Sequence, residues 1–141
     1  MSIAAVLLPV FVQVLLTFSL LMMTGRARFG VLKAGEVKIR DIALGERAWP
    51  AKVMQIANTY HNQFELPVLF YLLVPLAIIT KKADLLFVVL AWLFVGLRLI
   101  HAYVYVTTNH LLTRFRVFLA GAVVLMAMWF IFAIRILVAG V

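Results

Sequence analysis

Two polar stripes interrupt an otherwise apolar chain, and their spacing carries chemistry. Asn58, Asn62 and Glu65 stand at i, i+4 and i+7, so a helix would place them on one face. Arg98, His101 and Tyr105 stand at i, i+3 and i+7 and would share another. Arg114 and Arg116 follow shortly after. Together these residues offer cations, a carboxylate, amides, an imidazole and a phenol, a set suited to holding an anionic ligand and steadying a developing negative charge. The chain has no cysteine, so thiol chemistry would need a borrowed thiol. His101 has no second His at ligand spacing on its segment, which speaks against a metal site. No nucleophile triad, phosphate loop or dinucleotide fingerprint is present.

The elements that must position these residues are apolar and long. Of the 141 residues, 67% are hydrophobic, too many for a soluble domain of this size to hide. Four runs are long enough to cross a bilayer as helices, which takes about 20 residues each. They are predicted at about 3–23, 53–80, 85–106 and 117–137. The first reads as a retained helix rather than a signal peptide, because nothing basic precedes it and Arg26 and Arg28 follow it. The second has a polar front third and carries Pro67 and Pro75, which kink membrane helices. The reading is one domain over 1–141: an all-α integral membrane protein built as a four-transmembrane-helix bundle.

The connectors fix an orientation. The first, Thr24 to Lys52, carries seven Lys and Arg and is broken up by Gly30, Gly35 and Gly45. It reads mainly as a solvated loop, with a short interfacial helix as the alternative. The second is the tight turn Lys81-Lys82-Ala83-Asp84. The third, Thr107 to Arg116, holds Asn109, His110, Arg114 and Arg116. Four crossings put the first and third connectors on one side, with nine Lys and Arg against two on the other. Positive charge in short loops marks the cytoplasmic face, so both termini are expected outside the cytoplasm, in the periplasm or a lumen. Because the basic residues sit in connectors rather than on a soluble face, the net charge of +8 reads as topology and not as nucleic-acid binding. Arg135, at the end of the fourth run, reads as a snorkelling residue.

Depth brings the stripes level. Glu65 lies some 12 residues inside the second run and Arg98 some 9 residues from the end of the third. At 1.5 Å per residue these depths are roughly 18 and 14 Å. Asn62 is level with Arg98, and Asn58 nearly level with His101. A charge inside the membrane is expensive and finds a partner. Glu65 and Arg98 are therefore expected to pair, with Asn62 satisfying them, beside a polar cavity with Arg114 and Arg116 at its mouth.

Asn62-Gln63-Phe64-Glu65-Leu66-Pro67, then Arg98-Leu99-Ile100-His101 with Tyr105, resemble the MAPEG family, the membrane-associated proteins in eicosanoid and glutathione metabolism. The resemblance covers nearly the whole chain, from the long basic first connector to the fourth run. It implies a homotrimer with both termini on the periplasmic or lumenal side. It also implies a glutathione site between subunits, open to the cytoplasm. By resemblance, Asn62, Glu65, Arg98 and Tyr105 belong to that site, and His101 matches a prostaglandin E synthase-like pattern. Arg114 matches an Arg that helps form the thiolate in some members, with Arg116 as the fallback. Many glutathione-using members carry Arg just before the Asn of the second helix, and some carry another three residues earlier. Here those positions hold His61 and Asn58, which cannot grip a carboxylate bidentately.

The resemblance implies a membrane-embedded glutathione-dependent transferase or peroxidase-like protein. It would act on lipophilic electrophiles, with glutathione held by Asn62, Glu65, Arg98, His101, His61 and Asn58 and activated by Arg114 and Tyr105. Its other partners are membrane lipid, its own copies and a lipophilic small molecule. The location expected is a bacterial inner membrane. The alternative is a non-catalytic lipid-binding or scaffold protein of the same fold. A small transporter using Glu65, Arg98 and His101 is a third reading. Against it, no charged residue in the far half of the second or third run completes a path.

Overall fold

The computed structural model describes residues 1–44 and 48–139. Gly45, Glu46 and Arg47 of the first connector lie outside the described residues, as do the last two positions of the predicted domain. The described residues form six helices and no strand: α1 (Ile3–Lys33), α2 (Ile39–Ile42), α3 (Ala51–Asn62), α4 (Leu66–Ile79), α5 (Leu85–Val106) and α6 (Leu111–Ala139). Among the described residues, four spans are long and apolar enough to cross a membrane: α1, α3 with α4, α5 and α6.

Three elements differ from the sequence expectation, each for a local reason. α1 does not stop near residue 23. It runs 31 residues, roughly 46 Å, and so overshoots a hydrocarbon core of about 30 Å. Arg and Lys are good helix formers, so Arg26, Arg28 and Lys33 extend the helix rather than end it. What ends it is Gly35, left-handed at φ 74°. There the N–H groups of Gly35 and Glu36 close back onto the carbonyls of Leu32 and Val31. α6 begins at Leu111 rather than near residue 117, because His110 caps it. Its Nδ1 accepts from the Thr113 N–H (3.3 Å), and the Thr113 hydroxyl lies 2.9 Å from the same nitrogen. Arg114 and Arg116 therefore sit in the first turns of a helix, not in a connector. The short α2 shows that the basic connector does contain a helical turn.

The second span is the third difference, since it is two helices rather than one. Pro67 has no N–H to give and its ring crowds the carbonyl four residues back, at Gln63. The chain responds with a tight turn in which Gln63, Phe64 and Glu65 each donate to the carbonyl three residues earlier. α4 then restarts with Pro67 in its first turn, where a missing N–H is harmless.

The tight turn between α4 and α5 repeats the glycine motif that ends α1, but with a different residue. The N–H groups of Lys81 and Lys82 close onto Ile78 and Ala77, and Lys81 takes the left-handed position at φ 57°. A side chain there costs about 1 kcal/mol that glycine would not. Asp84 caps α5 by accepting from the Phe87 N–H (3.0 Å).

The core is a slab of Phe70, Leu73, Val74 and Ala77 from α4 against Phe87, Ala91, Phe94 and Val95 from α5, closed by Val6, Leu125 and Met128. The Phe70 and Phe94 rings pack at 5.0 Å. Ala77 and Ala91 let backbones approach, as membrane helices need. At Gly121 of α6 an added Cβ would come to 3.9 Å from Leu97 Cβ of α5. The outward faces stay apolar, with Leu15, Phe18, Met22 and Phe130 all exposed.

Candidate functional site

The break between α3 and α4 builds the base of the site. A helix that stops mid-span leaves carbonyls without intrahelical partners, and in lipid each must be satisfied by protein. Asn62, the last residue of α3, offers its backbone oxygen to Arg98 Nη2 at 3.3 Å, and its side-chain oxygen accepts from the same nitrogen. Asn62 Nδ2 in turn donates to Glu65 Oε2 at 3.1 Å. The expected direct Glu65–Arg98 pair is therefore not what the structure contains. The described residues hold no salt bridge between them, and Asn62 stands in the middle as a relay. The cause is the turn itself, which brings Asn62 to the guanidinium and carries Glu65 to the exposed rim.

Arg98 is only 1% exposed, yet its Nε and Nη1 have no hydrogen-bond partner. His101 is also buried, with Nδ1 unpartnered. Buried polar atoms are costly to leave unpaired, so the two Arg98 donors favour an acceptor, such as water, beside them.

One turn further along α5, the Tyr105 ring meets the His101 ring edge-on at 5.7 Å. The Arg114 guanidinium lies over the Tyr105 ring, 4.0 Å from its centroid. Asn109, left-handed at φ 50°, accepts from Arg114 Nη1 at 2.5 Å. Arg114 is thus held from below by a π face and from the side by an amide. The carbonyls that end α5 are satisfied from α3. Gln55 Nε2 donates to the Tyr105 oxygen at 2.6 Å, and Lys52 Nζ to the Val106 oxygen at 2.5 Å.

These groups line one open cleft of about 210 Å³: Asn62, Glu65, His101, Tyr105 and Arg114, with apolar walls from Leu111, Phe115 and Phe118. Arg98 lies behind Asn62. Of the nine residues singled out in the sequence, the structure brings six together. Asn58 and His61 are exposed on α3 and do not line this cleft, and Arg116 is exposed beyond it.

Sequence reasoning missed two supports. Asn109 was read only as part of a connector, although its identity at a left-handed position is a usable signal. Gln13 was not read at all. It is fully buried in α1 and donates through Nε2 to Gln63 Oε1 at 2.9 Å, while Gln63 Nε2 donates to the Thr59 carbonyl at 3.0 Å. This contact ties α1 to the break that shapes the site. A lone Gln within an apolar run is the signal that could have found it.

No curated protein and no solved structure matches the chain. The model of the MAPEG family matches it over residues 6–134. Four apolar spans, with a helix break and a basic-aromatic cleft at one end, thus belong to an integral membrane protein of the MAPEG family.

Proposed function

We propose that the cleft binds glutathione and that the protein is a glutathione-dependent transferase or peroxidase-like enzyme acting on lipophilic electrophiles. The observation that carries this reading is the placement of Arg114. It lies over Tyr105 in a cleft that Asn62 and Glu65 also line. Family membership supports a glutathione- or eicosanoid-related role at a coarse level. The residues fit such a ligand. The Arg114 guanidinium and the Asn62 amide suit carboxylates and peptide carbonyls, and Arg98 sets a positive charge behind them. The bound thiol would give its proton to solvent and supply a thiolate: a carbon–sulfur bond forms, a carbon–halogen bond breaks, and the halide leaves with its electron pair.

The protein's own groups do the rest. A free thiol has a pKa near 8.5, and an adjacent cation raises the thiolate fraction at neutral pH. Arg114 supplies that charge, Tyr105 can donate to sulfur, and Leu111, Phe115 and Phe118 offer an apolar wall for an oily electrophile. A cleft of about 210 Å³ is smaller than the roughly 300–1,000 Å³ of ordinary ligand sites. A neighbouring copy would complete it, which is how His61 and Asn58 could still reach the ligand, and a homotrimer is the assembly proposed. The nine Lys and Arg of the first and third connectors, against Lys81 and Lys82, support a cytoplasmic mouth with both termini outside, in a bacterial inner membrane.

A second reading has its own observation. Arg98 is engaged by Asn62 and Arg114 by Asn109, and His61 stands where many glutathione-using members of the family carry Arg, Asn58 where some do. A non-catalytic lipid-binding or scaffold protein would need no more than this. Calorimetric titration of detergent-purified protein with glutathione, alongside turnover of a chromogenic aromatic halide, separates the two. Binding with turnover supports the enzyme. Neither binding nor turnover at several times a millimolar Kd, which corresponds to about −4 kcal/mol, rejects it in favour of the scaffold.

A further inference from the structure

At the end of the bundle opposite the cleft, the turn between α4 and α5 and the last turns of α6 enclose an open bowl of about 510 Å³. Its polar groups are Lys81, Lys82, Asp84 and Arg135. The single carboxylate is already taken: Asp84 Oδ2 lies 2.8 Å from Arg135 Nη2. The two lysine side chains make no hydrogen bond or ion pair among the described residues, so the bowl offers unneutralised positive charge. Directly below it runs a seam between α5 and α6, from Leu90 to Phe132, with Lys82 and Arg135 at its head. The seam is too tight to admit a chain, so an acyl tail would lie along its surface.

Lys81 adds an independent hint. The motif that ends α1 places Gly35 in its left-handed position, and the same motif at the end of α4 places Lys81 there. A side chain at that position costs more than glycine would, a cost that a ligand at the rim of the bowl would offset.

We propose that this bowl is a binding site for an anionic phospholipid, with its phosphate on Lys81 and Lys82 and one acyl chain against the α5–α6 seam. A free anion would leave the adjoining apolar seam unused. A second copy of this chain, at net charge +8, would meet the lysines with the wrong sign.

The test is native mass spectrometry of the full chain in uncharged detergent, offered equal phosphatidylglycerol and phosphatidylcholine with identical acyl chains. Each basic residue near a lipid headgroup contributes about fivefold in affinity. Wild type should retain phosphatidylglycerol over phosphatidylcholine by at least about fivefold, and Lys81→Gly with Lys82→Gln should bring the two lipids close to parity. Glycine suits the left-handed position, so the melting temperature without lipid should hold or rise. If the double variant fails to fold, Lys81→Gly alone should still lose about fivefold. Equal retention of the two lipids by wild type overturns the proposal, as does an unchanged preference in the variants. Inorganic phosphate in large excess should not displace the lipid. Displacement would mark a site for a free anion and overturn it as well.

Discussion

Arg98 and Asn62 are joined twice: one guanidinium nitrogen donates to both the backbone and the side-chain oxygen of the residue where α3 stops. The cation thus gives the Asn62 carbonyl a second donor beside the Glu65 N–H, and the break gives a membrane-buried cation acceptors. Replacing Asn62 by Ala removes one acceptor from a buried charge and should cost about 2 kcal/mol in detergent unfolding. A double-mutant cycle with Arg98→Gln should show stronger coupling for Asn62 than for Glu65, because Glu65 reaches Arg98 only through Asn62. Equal coupling for the two would contradict the relay.

The Gln13–Gln63 bond predicts a non-additive pair. Either residue changed to Leu leaves the other's amide buried without that partner, at a cost of about 1–3 kcal/mol. Changing both should recover most of that loss. If the double variant is as unstable as the sum of the singles, the contact does not hold α1 to the break.

Arg114→Ala should lower conjugation of an aromatic halide by about tenfold or more, mainly in kcat, because the charge interaction strengthens as the thiolate forms. The rate–pH profile should also move to higher pH, since the bound thiol would ionise later without the cation. Arg114→Lys should recover part of the rate but not the stacking on Tyr105. A change confined to KM would mean that Arg114 only binds.

Asp84 sits outside the spans, and the hydrogen bond from Arg135 holds its carboxyl below the ordinary value of 3.8, while burial opposes the shift. A depressed folded value means that the pair's stabilisation is complete above that ordinary range. It is lost as the pH falls through the lower folded value. Thermal unfolding should therefore be indifferent to Asp84→Asn below the folded value and sensitive to it at neutral pH. The effect should be small, as for other partly exposed pairs. Equal effects at both pH values would count against the pair.

The four spans were legible because hydropathy over about 20 residues is a strong signal in a lipid solvent. The two stripes were legible because charge inside such spans is rare. Helix ends were less so: α1 passes three basic residues without stopping, and the cap at His110 leaves no mark in hydropathy. The Asn62 relay was hidden for another reason. Pro67 was visible and a kink was expected, but a kink bends a helix, whereas a full break rotates Asn62 towards Arg98 and Glu65 to the rim. That difference of one turn decides who pairs with whom. His61 and Asn58 shared the sequence pattern of the site without sharing its cleft, because both lie on the exposed face of α3.

The donors that close the end of α5 come from α3, which bears on how the chain is made. Lys52 and Val106 are 54 residues apart, on the order of 3–10 s of translation. Lys52 and Gln55, the donors for the end of the span that carries Arg98, are thus made before the carbonyls they meet.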